Sequence, residues 1–345
     1  MARNKKPNPL LDRVVYTAAR AVSATISCFD PDGNAELAAI LGQALATIDR
    51  KHLIRSSDHL RLAFPDWPEE RIHKTARQTF EHLVLLAFEA LQTPHVVTQQ
   101  TWRHRIEPDG LGPGLRVLTS GRPSILVTGH LGNWEVIGYA LGLLGFPIAA
   151  VARPLDNPLI NQWLLGVREK RGMRVINKRD AMHQLQDIIE NNGSVAFVAD
   201  QNAGDRGQFV PFFGRLASHY KSIGMLAMKN RCPIVCGTAW RINNRFQFRL
   251  GVQDIIEPEE WEAQPDPMLY ITARYSRAIE AMIRVKPEQY FWMHRRWKSR
   301  PRHEKAGKPF PDKLKASLAQ LPWMDESSLN AIVTDSETLA AKNQA

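Results

Sequence analysis

Cysteine is scarce: Cys28, Cys232 and Cys236 are the only three in 345 residues. They are too few for a disulfide framework, and the Cys232–Cys236 spacing has no neighbouring His or Cys pair to complete a zinc site. A reducing compartment follows. Long apolar runs are lacking too. The longest, Val136–Ala152, carries three glycines and Pro147, whereas a bilayer-spanning helix needs about 20 apolar residues. It reads as a buried helix followed by a strand. The Lys and Arg near the N-terminus precede no continuous apolar core, so a signal peptide is not expected. Also missing are the Gly-x-Ser-x-Gly elbow, the P-loop, His-Glu-x-x-His and the dinucleotide fingerprint Gly-x-Gly-x-x-Gly. Gly110-Leu111-Gly112 continues into Pro113-Gly114 and reads as a loop. Acidic residues number 35 against 45 basic, a net charge of +10. That excess favours an anionic partner, whether nucleic acid, anionic lipid headgroups or a phosphorylated substrate.

What is present is a folding composition, 44% apolar, enough to bury a substantial core. The first hundred residues read as helices. Leu37, Ile40, Leu41, Ala44, Leu45 and Ile48 repeat at helical spacing and predict one buried face. A longer helix is expected from Trp67 to Leu91, with Asp66 as N-cap, Glu69 three residues on, and Ile72, Ala76, Phe80, Leu83, Val84, Ala87, Phe88 and Leu91 on its apolar side. Val14–Phe29 reads as a docked helix, with a membrane-surface helix as the alternative. From residue 101 strands and helices alternate, with strands at Ser124–Thr128, Ile148–Val151, Arg174–Ile176, Ser194–Ala199, Ile234–Trp240 and Phe246–Val252. Such alternation predicts an α/β fold with a mostly parallel central sheet flanked by helices. The organisation expected is a helical segment over 1–100, an α/β domain over 101–310 and a loosely held tail over 311–345.

Ligands of open α/β sheets bind beyond the carboxyl ends of the strands. Those ends carry Gly129-His130-Leu131-Gly132-Asn133-Trp134-Glu135, then Arg153-Pro154, then Asp200-Gln201-Asn202. His130 stands between two glycines, Gly129 and Gly132, and Glu135 falls in the first turn of the following helix. A carboxylate on one ring nitrogen would leave the other free to take a proton, a general-base dyad suited to activating a substrate hydroxyl. The plain alternative is a histidine packed at a strand end beside an ordinary helix-start carboxylate. The basic run His294-Arg295-Arg296-Trp297-Lys298-Ser299-Arg300 could hold phosphates or form a solvated face. On that run and the net charge alone, a nucleic-acid-binding protein is the rival from another class.

Six ordered segments resemble those of the bacterial lipid A biosynthesis (late) acyltransferase family, related to glycerolipid and phosphatidylinositol-mannoside acyltransferases. They are Leu60-Arg61-Leu62-Ala63-Phe64-Pro65, His130-x4-Glu135, Arg153-Pro154-Leu155-Asp156-Asn157, Asp200-Gln201-Asn202, Phe209-Val210-Pro211-Phe212-Phe213-Gly214, and Trp292 through Pro301. The resemblance implies a glycerolipid-acyltransferase-like fold. It also implies acyl transfer from an acyl carrier protein or CoA thioester to a hydroxyl of a membrane lipid such as a lipid A precursor, with a lysophospholipid or another glycolipid as alternative acceptors. On that reading His130 is the base and Glu135 its orienting partner. Arg153 and Asn133 would serve the oxyanion or substrate, with Asp200 and Gln201 positioning the acceptor. Arg295, Arg296, Lys298 and Arg300 would hold a phosphorylated headgroup or the carrier, and Phe209–Phe213 would line the acyl tunnel or sit in the core. No cofactor, metal or nucleic acid is implied. The expected location is peripheral, on the anionic cytoplasmic face of the bacterial inner membrane. Two departures stand out. Many of the family carry an N-terminal transmembrane anchor, and His219-Tyr220-Lys221 replaces small hydroxyl residues.

Overall fold

The computed structural model describes residues 8–152, 154–170, 173–177 and 181–343. Its strands are β1 (Ile106–Asp109), β2 (Ser124–Thr128), β3 (Ile148–Ala152), β4 (Arg174–Asn177), β5 (Ser194–Val198), β6 (Gln208–Phe212), β7 (Arg215–His219), β8 (Ile234–Arg241) and β9 (Phe248–Ile256). Seven form one sheet in the order β1-β9-β8-β2-β5-β3-β4. β8, β2, β5, β3 and β4 run parallel, while β9 is antiparallel to β8 and carries β1 alongside it in parallel. The expected fold class is therefore observed. β2 spans Ser124–Thr128, as its short apolar run predicts. Unanticipated were β1 and the β6–β7 hairpin, which turns through Phe213 and Gly214 in left-handed conformation (φ 51° and 70°). The hairpin docks on the helix Pro267–Val285, where Ser276 Oγ donates to the Pro211 carbonyl at 3.0 Å.

Helices Pro9–Ser27, Asn34–Ile48, Arg50–Ala63 and Glu69–Val96 make up the N-terminal segment. The longest starts two residues later than expected, with Pro68 rather than Asp66 at the cap, and continues through Pro94 to Val96. Its buried side carries polar groups, His82, Glu89 and Gln92, while Ala87 is exposed. The helix Asn34–Ile48 reverses the expectation outright. Its buried seam is Asn34, Ala38, Gly42 and Ala46, and Leu37, Ile40, Leu41 and Ile48 face outward, Ile48 at 80% exposure. Residues four apart form one ridge along a helix, and a ridge of small side chains lets two backbones approach closely. A Cβ on Gly42 would sit 2.4 Å from the Glu81 Cα, so this contact accepts only glycine. Helix Pro9–Ser27 buries Ile26 alone and is held by the Tyr16–Trp163 edge contact and by Asn157 Nδ2 donating to the Asp12 carbonyl at 3.0 Å.

The segment from residue 311 is not loose. Helices Asp312–Ala319 and Glu326–Lys342 bury Leu318, Leu329 and Ile332 in the main core. Asp335 receives a hydrogen bond from Arg215 at 3.1 Å, and Ser336 bonds buried Glu304 at 2.6 Å. The polar, Ala/Ser-rich composition concealed these few core anchors.

One buried ionic cluster ties the N-terminal helices to the sheet. Arg241, at the end of β8, pairs with Glu89 of the long helix through both of its carboxylate oxygens and donates to His82 Nδ1 at 3.0 Å. Arg241 and Glu89 are 3% and 1% exposed. Burial and the adjacent Arg241 charge keep His82 well below its ordinary pKa, hence neutral and able to accept. Removing one partner strands a buried charge, which typically costs about 3–5 kcal/mol, whereas replacing both with apolar groups can be close to neutral. Glu89→Leu should therefore lower unfolding stability by about that amount in urea titration, and Glu89→Leu with Arg241→Met should recover most of it. Equal losses in the single and double variants would refute this description.

Candidate active site

Strands β2 and β5 are neighbours, with Thr128 opposite Val198. Continuing that parallel register by two residues brings His130 beside Asp200. The His130 backbone N–H donates to Asp200 Oδ2 at 3.0 Å, and its ring Nδ1 lies 2.7 Å from Oδ1. A carboxylate only accepts, so Nδ1 is the donating nitrogen and Nε2 is the one turned away from Asp200. Asp200 is 1% exposed. Burial alone would raise its carboxyl pKa, but the facing His130 imidazole and backbone N–H outweigh burial and hold it well below the usual carboxylate range.

The loop that presents His130 is tied down by three backbone hydrogen bonds. Phe291 N–H donates to the His130 carbonyl, Gly132 N–H to the Gln289 carbonyl and Asn133 N–H to the Ala239 carbonyl, at 2.9, 2.9 and 2.7 Å. Gly132 is left-handed (φ +53°), and a Cβ there would meet the Ala239 oxygen at 2.1 Å. Asn133 is the N-cap of the helix Trp134–Leu143, accepting from Val136 N–H at 3.0 Å while its amide donates to Glu89 at 2.9 Å. The buried Glu89–Arg241 pair therefore supports the His130 loop directly. Asn133, fully buried with its side chain spent on these bonds, is not a substrate ligand.

Glu135 is not the partner of His130. The first turn of its helix directs it sideways to Arg168 of the helix Pro158–Glu169, which it grips with both oxygens at 2.8 and 2.5 Å. Asp200, expected to position the acceptor, takes the orienting position instead. The spacing of five residues could not reveal this, whereas the register between β2 and β5 does. Arg153 lies outside the described residues.

A second histidine was not singled out by its surroundings in the sequence. His294 packs edge-on to His130 with ring centroids 4.8 Å apart. The Gln201 amide nitrogen lies 3.2 Å from His294 Nε2 and 3.5 Å from His130 Nε2. Burial and the neighbouring His130 push the His294 pKa down to about 4, so at neutral pH it is an uncharged acceptor for the Gln201 N–H. The same amide edge faces His130 Nε2.

The basic run divides. Arg296 is 1% exposed, stacked over Phe212 and donating to the Ser218 carbonyl and the His219 ring. His219, one of the departures from the family pattern, is held neutral by burial and by this arginine. Arg300 pairs with buried Glu304 at 2.6 Å and donates to the Leu216 carbonyl. Neither is available to a phosphate at the surface, because both satisfy interior acceptors. Arg295 and Lys298 are exposed. Asn202 fastens this run to the β5 loop through Ser299 at 3.2 Å.

His130 and Gln201 line a cavity of about 660 Å³ at the central sheet. Its walls are largely apolar, with Leu126, Leu141, Ala150, Ala152, Phe197 and Val198 among them. Phe212 and Phe213 lie in the core rather than along this cavity. Cys232 and Cys236 are buried, and burial pushes the Cys232 thiol up to about 11 and that of Cys236 higher still. Both are therefore inert thiols. No cluster of three metal-ligating side chains occurs among the described residues.

The profile of the bacterial lipid A biosynthesis acyltransferases matches residues 5–299. The lipid A biosynthesis palmitoleoyltransferase of Escherichia coli K12 is 26% identical over 274 residues, spanning 76% of this chain and 85% of that protein. The lauroyltransferase of the same organism is 27% identical over 246 residues, spanning 70% and 78%. The 1-acyl-sn-glycerophosphate acyltransferase PlsC of Thermotoga maritima aligns structurally over 73% of this chain and 97% of its own, with TM-score 0.35 and 13% identity.

The two carboxylates now make distinguishable predictions. Asp200→Asn should reduce turnover by roughly 10²–10⁴-fold, since an amide cannot stabilise an imidazolium by charge. Glu135→Gln should cost no more than about tenfold, because its charge serves Arg168 rather than the ring. Steady-state kinetics with both folded variants checks the order, and the reverse order would return Glu135 to the orienting role.

Proposed function

The chain belongs to the bacterial lipid A biosynthesis acyltransferase family and is an O-acyltransferase; from that premise we propose how it carries out the transfer. The acyl donor is a thioester of an acyl carrier protein or CoA, and the acceptor is a hydroxyl of a lipid A-type glycolipid. His130 Nε2 takes the hydroxyl proton as the oxygen attacks the thioester carbonyl carbon. Asp200 stabilises the resulting imidazolium. When the tetrahedral intermediate collapses, the C–S bond breaks and the imidazolium returns its proton to the departing sulfur. Arg153 is the candidate for the developing oxyanion. The acyl chain of the donor occupies the 660 Å³ cavity, a volume within the range of ligand pockets. The observation that carries the reading is a buried Asp–His pair whose second ring nitrogen faces an amide, at the mouth of an apolar cavity.

Arg295 and Lys298, exposed on the loop that carries His294, supply a basic surface for an acidic carrier protein or for CoA phosphates. Incubating the enzyme with an acyl thioester and a lipid A-type acceptor should release thiol and form the acylated lipid. His130→Ala should reduce that rate by roughly 10²–10⁴-fold without unfolding the protein. Salt-sensitive nucleic-acid binding without transfer to any lipid would favour the rival class.

The enzyme acts peripherally on the cytoplasmic face of the inner membrane. No helix among the described residues is long and apolar enough to cross a bilayer. Support comes instead from the outward apolar residues Leu10, Val14, Leu37, Ile40 and Ile48 of the first two helices, a concentration that in a protein free in water would be an aggregation liability. The free cysteines and the +10 charge suit a reducing compartment and an anionic leaflet. In flotation with anionic vesicles the protein should rise with the lipid. Ile40→Glu with Ile48→Glu should lower the floating fraction severalfold while leaving thermal stability near that of the parent. Unchanged flotation would exclude this face.

A further inference from the structure

A second apolar space lies against the first. A groove of about 310 Å³ runs between the helices Pro9–Ser27, Glu69–Val96 and Pro158–Glu169, with Ala19, Ala87, Leu91 and Trp163 along it. It shares Trp134, Glu135, Arg168 and Met173 with the donor cavity. Trp134 packs edge-on to His130 at 4.9 Å, so the groove adjoins the residue that flanks the base.

We propose that this groove holds a hydrocarbon chain of the lipid acceptor, and that the Glu135–Arg168 pair is the partition between it and the donor-chain cavity. The inference rests on the acyl-transfer reading above and deepens it. Two chains must meet at His130 without sharing one channel, and the molecule offers two apolar spaces separated by a bidentate ion pair that is 19% and 27% exposed. Charges set between apolar walls are rarely the most stabilising choice for a fold; as a polar wall they keep either chain from sliding into the other's space. Continuity with the membrane face selects the occupant. The rim is formed by helix Pro9–Ser27, whose Leu11, Val14, Val15 and Val22 are exposed. A chain can pass from bilayer to groove along apolar surface, whereas a water-soluble carrier has no need of that route.

The test fills the groove at its exposed wall with Ala87→Trp. For a lipid A-type acceptor with full-length chains, KM should rise about tenfold or more, as several methylenes lose their buried place. The donor thioester KM, and the KM for an acceptor with the same headgroup but chains cut to four carbons, should stay unchanged. Ala19→Trp gives the same comparison should Ala87→Trp fold poorly. Photo-crosslinking with a full-length acceptor bearing a chain-end diazirine reads the groove without turnover. Labelling should fall on residues 83–91 and 163–168. A parallel rise in donor KM, unchanged KM for every substrate, or labelling on β3 and β5 instead would overturn the proposal. Failure of the acyl-transfer reading shows separately, as no product from the unsubstituted enzyme with any acceptor.

Discussion

The hydrogen bond between His130 Nδ1 and Asp200 is the contact on which the rest of the site depends. It is a product of sheet register: two residues beyond the last pair of β2 and β5, the side chains stand side by side at 2.7 Å. Every other feature of the loop keeps that meeting in place. The left-handed Gly132 admits the Ala239 carbonyl, Gln289 and Phe291 bond the loop backbone, and Asn133 starts the next helix while leaning on Glu89. A carboxylate this deeply buried would ordinarily favour its neutral form. Here the imidazole and a backbone N–H keep it ionised, and only an ionised Asp200 can stabilise the charge that His130 acquires. Because its pKa is depressed, Asp200 contributes stability above the ordinary Asp value near 3.9, and that contribution disappears as pH falls through the lower folded-state pKa.

Charge and apolar surface are distributed unlike those of an ordinary globular protein in water. Arg241 and Arg296 are inside, where each donates to interior acceptors. Large aliphatic residues of the first helices are outside, where Ile40 is 67% and Leu10 74% exposed. The interior arginines fasten the long helix and the β6–β7 hairpin to the edges of the site. The exterior aliphatics leave one flank of the molecule suited to a lipid surface, next to the groove through which an acceptor chain would enter.

This inversion also explains which parts of the structure the sequence made legible. The parallel strands were readable because short apolar runs ending in polar or glycine-containing segments have few other readings, and those strand ends pointed to His130, Asp200 and Gln201. The helix Asn34–Ile48 was misread because periodicity identifies an apolar face without saying whether protein or membrane covers it; the true protein contact is the small-residue seam through Gly42. Glu135 was paired with the wrong group because proximity along the chain competed with a partner 70 residues away on the adjacent strand. Arg296 looked like a surface cation because nothing local reveals that His219 and Ser218 would receive it. The buried Glu89 sat unnoticed among polar residues of a helix whose apolar side seemed sufficient.

The central claim is that Asp200, not Glu135, fixes the tautomer and charge of His130. Nitrogen-15 and proton NMR of imidazole-labelled protein tests it most directly. The account predicts a neutral His130 with its proton on Nδ1, giving a strongly downfield resonance that survives Glu135→Gln and is lost or shifted far upfield in Asp200→Asn. A His130 protonated on Nε2, or a downfield resonance abolished by Glu135→Gln and indifferent to Asp200→Asn, would contradict it.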